Sequence, residues 1–314
     1  MSTRATLGDL AILAAAAGYG LSTTISVAAL DRVRAPDLVA VELTGGAITL
    51  LVLAVARRRL SLSGARRNFV LGMLMPGLAF VLGDLGLSMT SATAGSLLLA
   101  VELPLSVLLS VLFLREVLDR RSVIAIGLGL SGSAVVAVGA GGQSGGTSST
   151  IGNLLVVASV MAAASFLVVT RLHNSDDGLN ASTWQTLGGA VSTSPFVVLG
   201  WAHAGSRLPG AGAAGWALCI GVLACTAAAS VAFNFGISRV SGVRASQLQN
   251  LTPVAGLVAA VLVLHERPGT VQLLGGALVL LAIGALARVG AEPRQVSVTP
   301  QACPPDPAST SMAA

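Results

Sequence analysis

Lysine is absent from this sequence, and all 18 of its basic residues are arginine. P-loop NTPases need a lysine on the nucleotide phosphates, and retinal proteins and aldolase-type enzymes need one to form a Schiff base. The absence of lysine excludes all three classes. If the protein does work on a solute, the energy must come from a gradient or from another protein chain.

Charged residues are scarce as well. They make up 10% of the 314 residues, and hydrophobic residues make up 54%, whereas soluble domains contain about 25% charged residues. Together with a mean hydropathy of +0.84, this composition indicates a membrane protein in contact with the lipid bilayer. The pI of ≈ 10.4 is also compatible with nucleic-acid binding. However, the arginines flank apolar runs and are interpreted as membrane-side anchors, so no nucleic-acid partner is expected.

Cysteine and histidine are too few and too scattered to suggest a metal site. Cys219 and Cys225 lie in an apolar run and Cys303 in a polar tail, without the spacing of zinc ligands. The pair His265-Glu266 lacks the second histidine of an H-E-x-x-H motif. The sequence therefore predicts no metal, no cofactor and no enzymatic activity.

Long apolar runs dominate the rest of the sequence. A helix needs roughly 20 apolar residues to cross the hydrocarbon core, and about ten such runs are present. They lie near residues 7–30, 38–56, 69–89, 92–114, 122–139, 151–170, 183–203, 215–237, 246–264 and 270–288. The predicted fold class is an all-α membrane protein with ten transmembrane helices.

The positions of the arginines predict the orientation of these helices. If both termini are cytoplasmic, fourteen arginines fall on the inner side. Only four fall on the outer side: Arg32, Arg34, Arg207 and Arg267. Cytoplasmic loops are enriched in basic residues, so the count predicts a multi-pass protein of the cytoplasmic (inner) membrane with both termini inside.

The second half of the sequence repeats the first. At an offset of 150 residues Gly86 matches Gly236, and nearer the start of each half, at an offset of 144, Gly8 matches Gly152. Each half contains five of the predicted helices. Because five is odd, the second copy enters the membrane from the opposite side, which makes a 5+5 inverted-topology repeat. Such repeats are typical of secondary transporters.

The repeat also predicts the domain boundaries. The first five-helix repeat covers residues 1–138, a Gly/Ser linker covers 139–150, and the second repeat covers 151–289. The tail from 290 to 314 is rich in proline, serine and alanine and is expected to be disordered.

The repeated segments resemble a known family. The stretches "TSATAGSLL" and "ELPLSVLLSVLFLREVL", with the echo "RASQLQNLTPVAGLVAAVLVLHERPGTVQLLGGALVLLAIGAL", are similar to the EamA branch of the drug/metabolite transporter superfamily. The resemblance covers essentially residues 7–288. It implies a ten-helix 5+5 fold that exports amino acids or other small metabolites, driven by a gradient.

Glu102 is the most unusual residue of the fourth run. An ionisable group at the centre of a spanning helix costs about 2.5–3.5 kcal/mol if it faces lipid, so it normally faces the bundle interior or water. Ser106 follows at i+4 and Ser110 at i+8, which extends one polar stripe. Pro104 and its near-counterpart Pro253 predict helix breaks facing a central cavity. Pairing of Glu102 with a neighbouring helix is the alternative.

Three acids of the first half match amides in the second. Asp9 meets Asn153, Glu42 meets Gln185 and Asp84 meets Asn234. Under the predicted topology, Glu42 and Asp84 lie near the outer ends of their helices, and the two matching amides lie near the inner ends. The outer half of a substrate pathway would therefore be acidic and the inner half neutral. Alternatively, these carboxylates only reach toward the membrane interface.

Two further polar faces are candidate substrate contacts. Tyr19, Ser22, Thr23 and Ser26 share one face of the first helix. The ninth run carries a second patch of Gln247, Asn250 and Pro253. Thr252, beside it, is expected in the same central layer as Glu102. These groups could bind substrate or only one another. Glu116 and Glu266, at the ends of matching helices, are predicted to close the turns that follow them.

These features predict a secondary transporter. The protein is expected to export a small metabolite, such as an amino acid or an organic cation, by alternating access between the two copies. The buried acids could bind the cation directly or carry protons for antiport, because a low-dielectric site favours the neutral acid. An oligomer is compatible with the sequence. A non-transporting membrane sensor or scaffold protein is the alternative.

Overall fold

The computed structural model describes residues 3–102, 105, 108–109, 112, 120–139, 149–171, 178–240, 248–249 and 251–291, and all regular secondary structure in this part of the chain is helical. Most of the predicted linker and nearly all of the predicted tail lie outside these residues. The described helices are α1 Thr3–Leu30, α2 Ala35–Ala56, α3 Ala65–Leu87, α4 Ala92–Leu99, α5 Arg120–Gly139, α6 Thr150–Arg171, α7 Gly178–Ala204, α8 Gly212–Ile237, α9 Thr252–Val263 and α10 Thr270–Ala291.

Five of these helices are long and apolar enough to cross a membrane: α1, α2, α3, α6 and α8. Helix α9 and the central part of α10 are shorter apolar stretches. Many large hydrophobic side chains of the long helices are exposed, as expected where lipid replaces water as the solvent. The chain is therefore a multi-pass helical membrane protein, and the full count of ten crossings stays a prediction.

Several of the predicted apolar runs are interrupted. Helix α2 contains a π-helical turn at Ala40–Gly45, and in α3 the backbone at Met75 leaves the helical region (φ −142°, ψ 119°). The predicted run 92–114 is not one continuous helix, because α4 ends at Leu99 and a turn follows at residues 100–101. Likewise α9 begins only at residue 252, where a proline in the first turn suits a helix start.

Helices of the first half pack mainly on helices of the second half. Helix α1 packs against α8 and α9, and α3 packs against α6 and α7. Helix α4 contacts α6 and α9, and α5 packs along α10. The contacts follow the internal repeat, in which helix α1 corresponds to α6, α2 to α7 and so on. The contact of α1 with α8 therefore corresponds to the contact of α6 with α3. The space between the packed helices is consequently lined by both halves.

Matching glycines lie at two matching helix crossings. A Cβ atom on Gly86 would lie 2.7 Å from the carbonyl oxygen of Gly152, and one on Gly236 would lie 3.0 Å from the carbonyl oxygen of Gly8. A third close crossing brings Gly188 of α7 against the backbone of Phe69 in α3. Small residues allow helices to approach this closely in a membrane, so these glycines serve packing.

A buried acid ties the start of α2 to the end of α7. Asp37 is 0% exposed. Its Oδ1 accepts hydrogen bonds from Trp201 Nε1 (2.8 Å) and Ser206 Oγ (2.6 Å). Its Oδ2 accepts bonds from the backbone N–H groups of Arg207 (3.0 Å) and Arg34 (3.1 Å). Both oxygens are therefore satisfied, as expected of a structural carboxylate in an interior.

Glu266 joins the two halves at another helix end. Instead of closing the turn into α10, its carboxylate accepts hydrogen bonds from the backbone N–H groups of Ala92 (2.9 Å) and Thr93 (2.8 Å) at the start of α4. Ser91 accepts a further bond from the N–H of Ala94 (3.2 Å). A carboxylate also complements the positive end of the helix dipole, so Glu266 caps a helix of the other half.

Candidate functional site

A cavity of about 210 Å³ lies between the two halves of the chain. Helices α1 to α4 form one side, and α6, α8 and α9 form the other. This volume is below the roughly 300–1,000 Å³ of pockets that hold drug-sized ligands. The cavity therefore suits a small metabolite.

The polar face predicted on α1 opens onto this cavity. Tyr19, Ser22, Thr23 and Ser26 all line it, because residues spaced i, i+3, i+4 and i+7 share one face of a helix. Ser22 Oγ also lies 2.8 Å from Thr226 Oγ1 of α8. The face thus provides hydroxyl groups both to the cavity and to the neighbouring helix.

Glu42 is held in the cavity wall by a chain of hydroxyl groups. It lies in the π-helical turn of α2, where helices often carry functional residues, and is 5% exposed. Its Oε1 accepts a 2.6 Å hydrogen bond from Thr226 Oγ1, which is itself 2.8 Å from Ser22 Oγ. Because Thr226 has one proton, giving it to the carboxylate means that Ser22 must donate to Thr226.

Asp84 reaches the same cavity from α3, one turn before that helix ends. It is 5% exposed and lines the same cavity as Glu42. Its Oδ2 is buried and has no hydrogen-bond partner among the described residues. Buried polar atoms are normally paired, so this oxygen is a candidate ligand-binding atom.

Glu102 and Thr252 enter the cavity at the interruptions of the fourth and ninth runs. Glu102 follows the turn after α4 and is half-buried, and Thr252 is the first residue of α9. Both line the cavity, as does Pro253. Glu102 lies close enough to Tyr19 for its charge to act on the phenol.

A smaller cavity of about 50 Å³ adjoins the larger one, and Tyr19, Glu42 and Thr226 line both. The amides Gln185 and Asn234 line only the smaller cavity. Asp84 therefore lines only the larger cavity and the two amides line only the smaller one, whereas Glu42 lines both.

Neighbouring side chains engage both amides. Nδ2 of Asn234 donates to Ser182 Oγ (2.7 Å) and to the carbonyl oxygen of Ser230 (3.0 Å). Nε2 of Gln185 donates to Asn68 Oδ1 at 3.4 Å. The amide groups of Gln185 and Asn234 thus donate to other groups of the protein. Oδ2 of Asp84, by contrast, has no partner among the described residues.

Three predicted site residues, Ser106, Gln247 and Asn250, lie outside the described residues. The roles of all predicted site residues in binding stay predictions. Within the described ranges, no group of three or more His, Cys, Asp and Glu residues gathers into a metal site. Chemically, the larger cavity offers carboxylates and hydroxyls, and none of its described lining residues is arginine or histidine.

Sequence reasoning missed several lining residues. Thr226 completes the hydroxyl chain, and Ser230 lies four residues further on and four before Asn234, which was predicted. Thr226 and Ser230 could have been found from this helical period. Phe166 and Phe233 also line the cavity. They gave no signal, because phenylalanine in an apolar helix faces lipid just as readily as a cavity.

The chain is thus a helical membrane protein with a small cavity between its two halves, lined by apolar side chains and by several acids and hydroxyls. The chain belongs to the EamA-like transporter family, whose model matches residues 6–138 and 150–288. The resemblance predicted from the repeated segments is thereby confirmed.

Individual proteins similar to the chain include an exporter and a solved structure. A protein of Streptantibioticus cattleyicolor named "Probable terminal-alkyne amino-acid exporter" is 28% identical over 209 residues, which cover 67% of this chain and 68% of the relative. A solved crystal structure has a TM-score of 0.64 and 16% identity, covering 94% of this chain and 99% of its own length. At this identity the likeness of the crystal structure shows the fold alone.

Proposed function

We propose that the protein is a secondary transporter that exports a small metabolite, such as an amino acid or an organic cation, across the cytoplasmic membrane. The observation that carries the proposal is the cavity between the two halves, where Glu42, Asp84 and Glu102 lie in an otherwise largely apolar wall. Secondary transporters with inverted repeats bind their substrates where the repeats meet. An exporter among its relatives supports the direction of transport.

Alternating access is the mechanism that this arrangement supports. Each contact between a helix of the first half and one of the second has a counterpart with the halves interchanged, as α1 on α8 corresponds to α6 on α3. The close crossings at Gly86 and Gly236 form one such pair. Two interconverting arrangements of similar free energy are a natural property of such a pseudo-symmetric pair. Rocking of one repeat against the other would open the cavity to each side in turn.

A proton gradient is the proposed energy source. The sequence has no lysine for a P-loop, which argues against direct use of ATP. A carboxylate in a cavity without water is stabilised either by taking up a proton or by binding a cation. A proton and a cationic substrate can therefore compete for the same carboxylates. Glu102 is the proposed coupling residue, because it is half-buried in the cavity wall, with Tyr19, Glu42 and Asp84 lining the same space.

Transport by proteoliposomes under an imposed pH gradient tests the proposal. The wild-type protein should accumulate at least one solute from a panel of radiolabelled amino acids and amines. Glu102→Gln, which keeps the shape but removes the charge, should abolish this uptake or its dependence on the pH gradient. Asp31→Asn removes an exposed acid between α1 and α2 and serves as the control.

Two results would contradict the proposal. If no solute of the panel crosses under any imposed gradient, the protein behaves as a sensor or scaffold and is not a transporter. If Glu102→Gln transports with normal pH dependence at equal protein level, the carboxylate has no part in coupling. No activity as an enzyme is proposed.

A further inference from the structure

We infer that the larger cavity recognises a small primary amine without a carboxylate, with its ammonium group bound by Asp84 and Glu42. This inference rests on the proposed transport function and narrows its substrate class. It divides the candidates named above, because an amino acid has a carboxylate beside its ammonium group and a simple amine does not.

The unpaired carboxylate oxygen of Asp84 indicates that the ligand brings a hydrogen-bond donor. Asp37 shows how this fold satisfies a structural acid, since both of its oxygens accept two hydrogen bonds each. Asp84 is nearly as buried, yet its Oδ2 has no partner in the described part of the chain. An unpaired buried acceptor is costly, so its retention at a cavity wall points to a donor that arrives with the ligand.

Glu42 is held in a fixed position in the wall of the same cavity. Thr226 engages one of its two carboxylate oxygens, which orients the group before any ligand binds. Glu42 and Asp84 line the same cavity, and like charges in a shared low-dielectric space disfavour each other. An ammonium group has three donors and a positive charge, so its arrival in this cavity would offset the repulsion between the two acids.

The described lining of the cavities offers no positive charge that could bind a carboxylate of the substrate. None of the described residues that line either cavity is arginine or histidine, and the sequence has no lysine. The hydroxyls of Ser22 and Thr226 already point along the chain toward Glu42. A substrate carboxylate would therefore lie near three acids without a cation to balance it.

The apolar side chains of the cavity wall indicate what the rest of the ligand is like. Phe80, Phe166 and Phe233 line the larger cavity together with Met75 and Leu87. Such a wall binds a short hydrocarbon body by removing apolar surface from water. The cavity therefore fits an amine with a short branched or aromatic tail.

Three matched compounds test the inference: isoamylamine, leucine and 4-methylpentanoate. Isoamylamine is leucine without its carboxylate, and 4-methylpentanoate is leucine without its amine. Isothermal titration of the purified full-length protein in detergent should show isoamylamine binding about tenfold or more tighter than leucine, because tenfold corresponds to one lost favourable polar contact. 4-Methylpentanoate should not bind, and empty micelles give the baseline.

Variants then assign the binding to the acid pair. Asp84→Asn should weaken isoamylamine binding by about tenfold to a hundredfold, as expected when a charge-assisted hydrogen bond is lost. Asp31→Asn should leave the affinity unchanged. The melting temperature of Asp84→Asn without ligand should stay equal or rise, because the substitution removes a buried charge. A residue with a merely structural role would show a lower melting temperature and unchanged affinity.

The outcomes separate this inference from the transport proposal. Leucine binding as tightly as isoamylamine would overturn the amine preference and leave an amino-acid exporter standing. No detectable binding of isoamylamine would also overturn it, whatever solute the proteoliposomes transport. Unchanged isoamylamine affinity in Asp84→Asn would remove Asp84 from the site.

Discussion

The two halves of this protein place different chemistry at matching positions. In the first half Glu42 and Asp84 face the larger cavity, and Oδ2 of Asp84 has no partner in the described part of the chain. In the second half Gln185 and Asn234 face the smaller cavity, and their amide groups donate to side chains nearby.

This difference separates what the fold requires from what the substrate requires. An amide at these positions can satisfy itself with its neighbours, as Asn234 does with Ser182. A carboxylate at the matching position contributes a charge that the protein leaves uncompensated. The fold could therefore be built with amides in both halves, and the acids of the first half are best explained by a cationic ligand or a proton.

The largest expected effect comes from placing an acid in the amide half. Asn234→Asp would replace a donor by an acceptor facing the carbonyl oxygen of Ser230, and would put an uncompensated charge in a buried site. Loss of about 3–5 kcal/mol of folding free energy is expected. Denaturant unfolding in detergent measures it, with Asp84→Asn as the reciprocal control that should lose nothing. Equal losses in the two variants would show that the halves do not differ in this way.

A smaller effect is expected where the two halves are alike. Gly86→Ala would press a Cβ against the backbone of α6, and Gly236→Ala would press one against Ile12 and Gly8. Each should cost about 1–3 kcal/mol, as overpacking does, with the larger loss at Gly86, where the contact is with rigid backbone.

Gly127→Ala is the control for these two changes. A Cβ there meets nothing within 4 Å, so the change should stabilise the helix by roughly 0.5–1 kcal/mol. Thermal unfolding of the three variants gives the comparison. A normal melting temperature for both Gly86→Ala and Gly236→Ala would mean that the matched crossings are not tightly packed.

The smallest effect is expected at the helix cap. Glu266→Gln keeps one carbonyl oxygen for the N–H of Ala92 or Thr93 and loses the other acceptor and the charge. A destabilisation of about 1 kcal/mol is typical for a lost cap. Arg267→Gln, a change of the exposed neighbour, should have no effect on the melting temperature. If the two halves are equivalent, Glu116→Gln should cost a similar amount.

Much of the helix order and part of the cavity lining could be predicted from the sequence. Length and hydropathy predicted a run at 215–237, and the helix there is Gly212–Ile237. The helical period predicted the face of α1 that carries Tyr19 and Ser22. Contacts between distant residues could not be predicted. Thr226 meets Glu42 across 184 residues, and Glu266 caps a helix 174 residues away. No local pattern encodes such partners, because they depend on how the helices pack.

The predicted inversion of the second half is the claim on which the whole comparison depends. Ser63, between α2 and α3, and Gly210, between α7 and α8, lie in matching loops and are exposed. Single cysteines at these two positions, in a protein with the three natural cysteines replaced by alanine, can be labelled with a membrane-impermeant maleimide. In intact cells Ser63→Cys should stay unlabelled and Gly210→Cys should react, and in inside-out vesicles the result should be reversed. Labelling of both positions from the same side would contradict the inverted repeat and the acidic outer half built on it.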